Sequence, residues 1–297
     1  MVAYAAAAAL QPEPILTIDP RHRLVEGVAS DGSTIFVSSV LDRQILACRT
    51  TCRTLAILPP GLHPFGLAWD ATRKRLWVAA DCPQGVPGIK PCNSGALVGL
   101  TAGGRLMTRI SPLSGSFHPG DVSASAKGVF VSDSQSGAVY GFGRSGYSLV
   151  PLIRPGVGKS AQGTAVSEDG KRLLVSDFAL GIATVDLSTR NRTLLPRPDG
   201  KPLRGVDGLA VCGSIYYGIY NGTAPGALLA ITPGEGGLTM EQPLGDASLS
   251  DPTQIASDGK RLLLVIGSGW GDIDKQPTRE TGAEIVAVPI KPDCHVE

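Results

Sequence analysis

The chain has 297 residues, of which 42% are hydrophobic, and its 27 basic and 26 acidic side chains give a net charge of +1. This balanced charge gives no support for a nucleic-acid groove, and the absence of an 18-residue apolar run excludes a membrane-spanning helix. Glycine (38) and proline (23) together supply about a fifth of the chain, which is typical of short strands joined by tight turns.

The first segment is rich in alanine (MVAYAAAAAL) and lacks the basic residues that begin a secretory signal. We expect residues 1–11 to form a flexible N-terminal tail. A trimmed signal and an added cloning sequence are the alternatives.

After this segment, one pattern recurs six times: a short strand, a polar turn and an apolar strand. The copies begin VEGVASDGSTIFVSS at Val25, PFGLAWDATRKRLWVAA at Pro64, PGDVSASAKGVFVSD at Pro119, AQGTAVSEDGKRLLVSD at Ala161, VDGLAVCGSIYYGIY at Val206 and PTQIASDGKRLLLVIG at Pro252. The turns carry Asp, Gly and Lys, which tolerate hairpin geometry, and the second strands are apolar enough to be buried on both faces.

The second residue of each copy is here called its anchor. The anchors are 39, 55, 42, 45 and 46 residues apart, and they are Glu26, Phe65, Gly120, Gln162, Asp207 and Thr253. This spacing is the period of a four-stranded propeller blade. The sequence therefore predicts an all-β fold, a six-bladed β-propeller, as a single domain over residues 12–297.

The last copy has no fourth strand, whereas the segment PILTID (14–19) precedes the first copy and has no blade of its own. We predict that this N-terminal strand completes the sixth blade, which closes the ring and removes two exposed edges.

Six cysteines, two pairs of which flank short loops, favour disulfides and an oxidising compartment over a zinc site or free thiols. Cys48–Cys52 and Cys82–Cys92 are the expected local pairs, and the pairing of Cys212 and Cys294 is left open. We expect a secreted or periplasmic protein, with a cytoplasmic location as the alternative.

Because the inner strand of each blade lines the channel, the six anchors should converge at one mouth. Carboxylates and an amide in a small space suit a hard cation, and we predict Glu26, Gln162, Asp207 and Asp121 as its ligands. Calcium is the first candidate, with zinc or manganese as alternatives. Without a cation the same carboxylates would repel each other and could serve as general acid or base, or they could be purely structural.

Other polar and aromatic groups are expected at the same mouth. His63 and His118 precede matching inner strands and could shuttle protons, replace a ligand, or simply bond to backbone. We assign His118 a catalytic role. The residues expected to bind substrate are His63, Phe65, Thr253, Tyr220 and Trp270, the last as a lid or stacking surface. Asn191 and Asn221 match glycosylation sequons.

The motifs EGVASDG and VDGLAV and the Gly-Leu-Ala strand starts resemble the gluconolactonase and senescence-marker-protein (regucalcin) family of six-bladed propellers. The resemblance implies one divalent cation held by a Glu of the first blade, Asn residues of the third and fourth, and an Asp of the fifth. Glu26 and Asp207 match two of these ligands, Gln162 replaces one Asn, and Gly120 stands where the other would be. The resemblance also makes Asp207 the base in lactone hydrolysis.

These observations leave three functions open. The first is a metal-dependent hydrolase of a small lactone or ester at the channel mouth. The second is a metal-free enzyme of the strictosidine-synthase type, which catalyses condensation or cyclisation. The third is a propeller that binds a small ligand without catalysis.

Overall fold

The structure is a computed structural model, and it describes residues 11–82, 85–143, 148–245, 248–274 and 280–290. Its strands form six antiparallel sheets of four strands each. The first strand of each sheet contacts the first strand of the next one, and the last contacts the first, so the six sheets form a closed ring. The predicted six-bladed β-propeller is therefore confirmed. The expected tail lies almost wholly in residues 1–10, outside the described residues, and stays a prediction.

The blades follow one another in chain order, each running from the channel outward, with only the last one interrupted. The strands are β1 (Glu13–Thr17); β2 (Val25–Ser30), β3 (Ile35–Ser39), β4 (Gln44–Cys48) and β5 (Cys52–Ile57); β6 (His63–Asp70), β7 (Arg75–Asp81), β8 (Ala96–Thr101) and β9 (Leu106–Ile110); β10 (Pro119–Ser125), β11 (Gly128–Asp133), β12 (Val139–Phe142) and β13 (Val150–Ile153); β14 (Ala161–Val166), β15 (Arg172–Asp177), β16 (Gly181–Asp186) and β17 (Arg192–Leu194); β18 (Val206–Cys212), β19 (Ile215–Tyr220), β20 (Ala227–Gly234) and β21 (Gly237–Leu244); β22 (Ile255–Ser257), β23 (Arg261–Ile266) and β24 (Glu284–Pro289).

The sixth blade is closed by the N-terminal strand, as the sequence predicted. Its order is β22, β23, β24 and then β1, with Thr17 paired to Glu284 and Glu13 to Ala287. In the described part of the chain the only helix is one 3-10 turn, Trp270–Asp272. No described helix is long or apolar enough to cross a membrane.

The hydrophobic core lies between the blades and not within any one of them. Leu76 and Trp77 are neighbours on β7, the second strand of the second blade, and they pack against opposite blades. Leu76 belongs to the hydrophobic cluster shared with the first blade, and Trp77 belongs to the cluster shared with the third. Both side chains are fully buried. This two-sided burial explains why the second strands read as uninterrupted apolar runs.

Two disulfides match the expected local pairs. Cys48–Cys52 ties β4 to β5, and Cys82–Cys92 closes the loop that lengthens the second repeat. Cys212 is disulfide-bonded as well, and Cys294 lies outside the described residues.

Candidate functional site

The inner strands share an irregularity at their anchors. In five of the six, the pairing with the second strand shifts register across the two residues that begin with the anchor. Such bulges bend a strand and turn a side chain away from its usual direction, and they recur beside active sites. The repeated bulge therefore gives five of the anchors the same departure from the regular strand direction.

Glycine follows four of the anchors because the blades approach one another closely there. A Cβ on Gly27 would lie 2.2 Å from the carbonyl oxygen of Phe65, and one on Gly163 would lie 2.4 Å from that of Asp207. Either distance is a severe overlap, so any side chain at these positions would push neighbouring blades apart.

Buried serines of the second strands hold this arrangement together. Ser38 Oγ accepts a hydrogen bond from the Gly27 amide (2.6 Å) and donates one to the Phe65 carbonyl (2.8 Å). Ser176 Oγ lies in the same way 2.8 Å from the Asp207 carbonyl. Each serine thus links the bulge of its own blade to the anchor of the next blade. In the fourth blade, this bond holds the main chain of Asp207 in place.

Glu26 and Asp207 are the two carboxylates of the mouth. Burial raises the pKa of Glu26 well above its usual range, and the charge of Asp207 raises it further. Burial also raises the pKa of Asp207 to about 6. Both groups are thus costly to ionise without a nearby positive charge. An approaching cation, or a proton, would relieve that cost.

Asn221 contacts Asp207, although the sequence singled it out only as a glycosylation sequon. Its Nδ2 donates to Asp207 Oδ2 (2.8 Å) and to the Pro252 carbonyl (3.2 Å), and the bond to Asp207 lowers that residue's pKa. Because two acceptors fix the amide orientation, Oδ1 is left buried without a hydrogen-bond partner among the described residues. Buried acceptors normally have a partner, so this oxygen is available to a hydrogen-bond donor or to a cation.

Gln162 occupies the space above the glycine anchor of the third blade. A Cβ on Gly120 would lie 3.1 Å from Gln162 Oε1, while Gln162 Nε2 donates to Ser160 Oγ (3.1 Å). The longer amide of the fourth blade therefore covers the position left empty by Gly120. Glu26, Gln162, Asp207 and Asn221 together are called the mouth site below.

Asp121 follows the anchor of the third blade, and Gln254 holds the matching position in the sixth blade, which faces the third across the ring. Burial raises the pKa of Asp121 to about 7; the charge of Asp207 also raises it, whereas the Gln254 side chain lowers it. The side chains of Asp121 and Gln254 are almost fully buried, and Gly66 and Gly208 leave room for them. We call Asp121 and Gln254 the cross-channel pair, because they belong to opposite blades of the ring.

Within the described residues, the acidic and sulfur ligands close enough to share an ion include no group formed by Glu26, Asp121 and Asp207. The only such group is Asp81 with Cys82 and Cys92, whose sulfurs are joined in a disulfide. The mouth site holds two carboxylates and two amides, and such oxygen donors are the kind of ligand that a hard cation such as calcium prefers.

Trp270 covers Glu26. Its Nε1 donates to Glu26 Oε2, and its ring packs against the cluster that includes Phe65. Asp251 holds the loop behind it, because its Oδ2 accepts bonds from Ser268 Oγ (2.8 Å) and the Gly269 amide (2.7 Å). The tryptophan thus orients one carboxylate oxygen of Glu26.

Two other predicted substrate contacts have structural partners. Thr253 is buried, and its Oγ1 donates to the Glu26 carbonyl (2.9 Å), which joins the sixth blade to the first. Tyr220 lies at the mouth end of β19, where its ring covers Gly205 and Gly222 next to Asn221.

His63 and His118 are both buried, and each forms a hydrogen bond through its Nδ1 atom. His118 Nδ1 lies 3.1 Å from Asp81 Oδ1, and His63 Nδ1 lies 2.8 Å from the Val40 carbonyl. Burial raises the pKa of Asp81 and lowers that of His63. His118 therefore has a carboxylate partner that could orient it, whereas His63 has the backbone bond expected of a loop histidine.

No protein-family model matches the chain, and no curated protein matches it. Several solved structures are similar to it over nearly their whole length. The luciferin-regenerating enzyme is 12% identical with a TM-score of 0.66, covering 97% of each chain. A gluconolactonase from Xanthomonas campestris is 16% identical with a TM-score of 0.59, covering 97% of this chain and 98% of its own. Virginiamycin B lyase from Staphylococcus aureus is 12% identical with a TM-score of 0.60, covering 95% and 99%. These likenesses establish the propeller fold, and gluconolactonases are among the proteins that share it.

Proposed function

We propose that the chain is a lactonase-like hydrolase that opens a small lactone or ester at the mouth site with a divalent cation, calcium first. The observation that carries the proposal is the buried pair Glu26 and Asp207, whose raised pKa values call for a positive charge beside them. The gluconolactonases of the same fold support the substrate class. A cation bound there would polarise the carbonyl oxygen of the substrate.

The residues divide the remaining work. Asp207, ionised above about pH 6, takes the proton of the attacking water, and Asn221 holds its carboxylate through Oδ2. Glu26 is fixed by Trp270, and Gln162 adds an amide oxygen. Phe65 and Trp270 exclude water on one side of the substrate. The two local disulfides support an oxidising compartment, in keeping with a secreted or periplasmic protein.

The high pKa of Glu26 favours a second candidate, a metal-free enzyme that catalyses condensation or cyclisation. A carboxylic acid that keeps its proton near neutral pH can act as a general acid, with Asp207 as the base. Turnover that survives EDTA would favour this candidate over the hydrolase with a cation.

The test is hydrolysis of five- and six-membered lactones by the wild type and by Asp207→Asn, each with calcium and with EDTA. Loss of the base should lower kcat/KM by about a thousandfold or more, because general-base catalysis and the cation both depend on this residue. The control is Asp169→Asn, which removes an exposed carboxylate from a hairpin turn and should leave kcat/KM unchanged. Equal turnover by wild type and Asp207→Asn would refute the proposal.

A further inference from the structure

A cavity lined by residues of all six blades lies on the other side of the cross-channel pair. It has a volume of about 190 Å³, and it is lined by the parts of the innermost strands that lie between the anchors and the hairpin turns. Asp121 and Gln254 line its inner end, whereas Glu26, Gln162 and Asp207 do not line it. Because hairpin residues such as Glu168 and Gly213 also line it, it opens at the face opposite the mouth site.

Apolar side chains form most of the wall of this cavity, and its hydroxyl groups already have hydrogen-bond partners. Small and aliphatic residues from all six blades, such as Ala29, Ala165 and Ala256, make up most of the wall. Ser123 Oγ and Thr164 Oγ1 are bonded to each other at 2.7 Å. The rim hydroxyls of Ser30, Ser125 and Ser257 accept bonds from the amides of their own hairpin turns.

The charge in the cavity has one sign. None of the described residues that line it is Lys, Arg or His, and its acidic members are Asp121 and Glu168. Asp121 is almost fully buried at the inner end of the cavity, and its charge has no basic side chain beside it among the described lining residues. A donor group of a ligand that enters from the cavity would meet this carboxylate.

We propose that this cavity is a second binding site, for a small primary amine with an apolar body whose ammonium group donates to Asp121. An anion would meet a carboxylate with no cation to offset it, and a purely apolar molecule would leave that carboxylate desolvated and unpaired. An apolar cavity of about 150 Å³ is known to hold a benzene ring. The space here therefore suits one ring with a short arm.

The experiment is calorimetric titration of the full chain at pH 8 with benzylamine, benzyl alcohol and benzoate. Benzylamine, with eight non-hydrogen atoms, should bind with a Kd of about 1 mM. The alcohol should bind more weakly, because it lacks the charge that strengthens the hydrogen bond to a carboxylate. Benzoate should not bind.

Paired variants locate the amine. Asp121→Asn removes the cavity carboxylate and should weaken binding about tenfold or more, whereas Asp207→Asn, the matched change at the mouth, should alter it less than about threefold. Ala256→Leu and Ala124→Leu add bulk to the cavity wall from two different blades, and each should abolish binding while circular dichroism shows a folded chain.

Three results would overturn the proposal. The first is no saturable binding of benzylamine to the wild type, and the second is benzoate binding as tightly as the amine. The third is binding that is lost in Asp207→Asn and kept in both leucine variants, which would place the amine at the mouth site.

Discussion

On the two sides of the Asp121–Gln254 pair, the same six strands build two different surfaces. On the mouth side, bulged strands bring Glu26 and Asp207 close enough to repel each other, and side-chain hydrogen bonds tie one blade to the next. On the cavity side the strands are regular, and small apolar residues leave about 190 Å³ of open space. The candidate catalytic residues thus lie where the strands depart from regular pairing, and the regularly paired part of the strands lines an open cavity.

The difference also shows how a repeated fold becomes specific. Four anchors are followed by glycine, which keeps the blades close, whereas the third and sixth carry Asp121 and Gln254 at that position. Because these two blades are opposite, two changes at one repeated position place polar side chains that face each other across the channel.

The largest expected effect comes from adding one carbon on the mouth side. Gly27→Ala should lower the free energy of unfolding by about 3 kcal/mol or more, since its Cβ would lie 2.2 Å from the Phe65 carbonyl. On the cavity side, Ala256→Val has open space and should cost less than about 1 kcal/mol. Urea denaturation measures both.

The control for Gly27→Ala is Gly143→Ala, whose added Cβ would meet nothing within 4 Å. It should change the stability by less than about 0.5 kcal/mol. Equal losses for the two glycine variants would mean that the blades do not constrain each other at the mouth.

The next effect concerns Asn221, which belongs to the mouth side alone. Asn221→Ala should lower lactone hydrolysis about 10- to 100-fold, as is usual when a residue that orients a ligand is lost. Without the bond from Asn221 the pKa of Asp207 rises above about 6, so the acidic limb of the pH–rate profile should move to higher pH. Asn191→Ala, an exposed asparagine, is the control. An unshifted profile in Asn221→Ala would remove Asp207 as the base.

The cross-channel pair predicts a stability effect that depends on pH. The pKa of Asp121 is about 7 in the folded chain and about 3.9 in the unfolded one, so its contribution is fully present below pH 4 and is lost as pH rises toward 7. In EDTA, Asp121→Asn should therefore be more stable than the wild type by about 1–3 kcal/mol at pH 8 and equal to it near pH 4.

Asp186→Asn should behave in the opposite way. Hydrogen bonds from Ser188 and Thr189 lower the pKa of Asp186 to about 2, so its stabilising effect is present at neutral pH and is lost as pH falls through that value. The variant should be less stable than the wild type at pH 7. If both variants followed the same trend with pH, burial would not be the cause of the shift at Asp121.

The sequence predicted the blades and their closure because each blade repeats the same turn and the same two-sided strand. It predicted that Glu26 and Asp207 meet because both hold the same position in that repeat. Asn221 and Asp251 were missed because they lie in loops, outside the strand–turn–strand pattern that repeats along the chain. The relation between Asp121 and Gln254 was missed because contacts across the ring depend on which blades are opposite, which the repeat itself does not encode.

The most direct test of the cation at the mouth site is the melting temperature in EDTA and then with calcium, magnesium, manganese and zinc in turn. A cation at about 100 times its Kd adds about 2.7 kcal/mol to the stability of the folded chain, which should raise the melting temperature by several degrees. We predict such a rise with calcium in the wild type and none in Asp207→Asn. No rise with any of the four cations, or the same rise in both proteins, would contradict a cation at the mouth site.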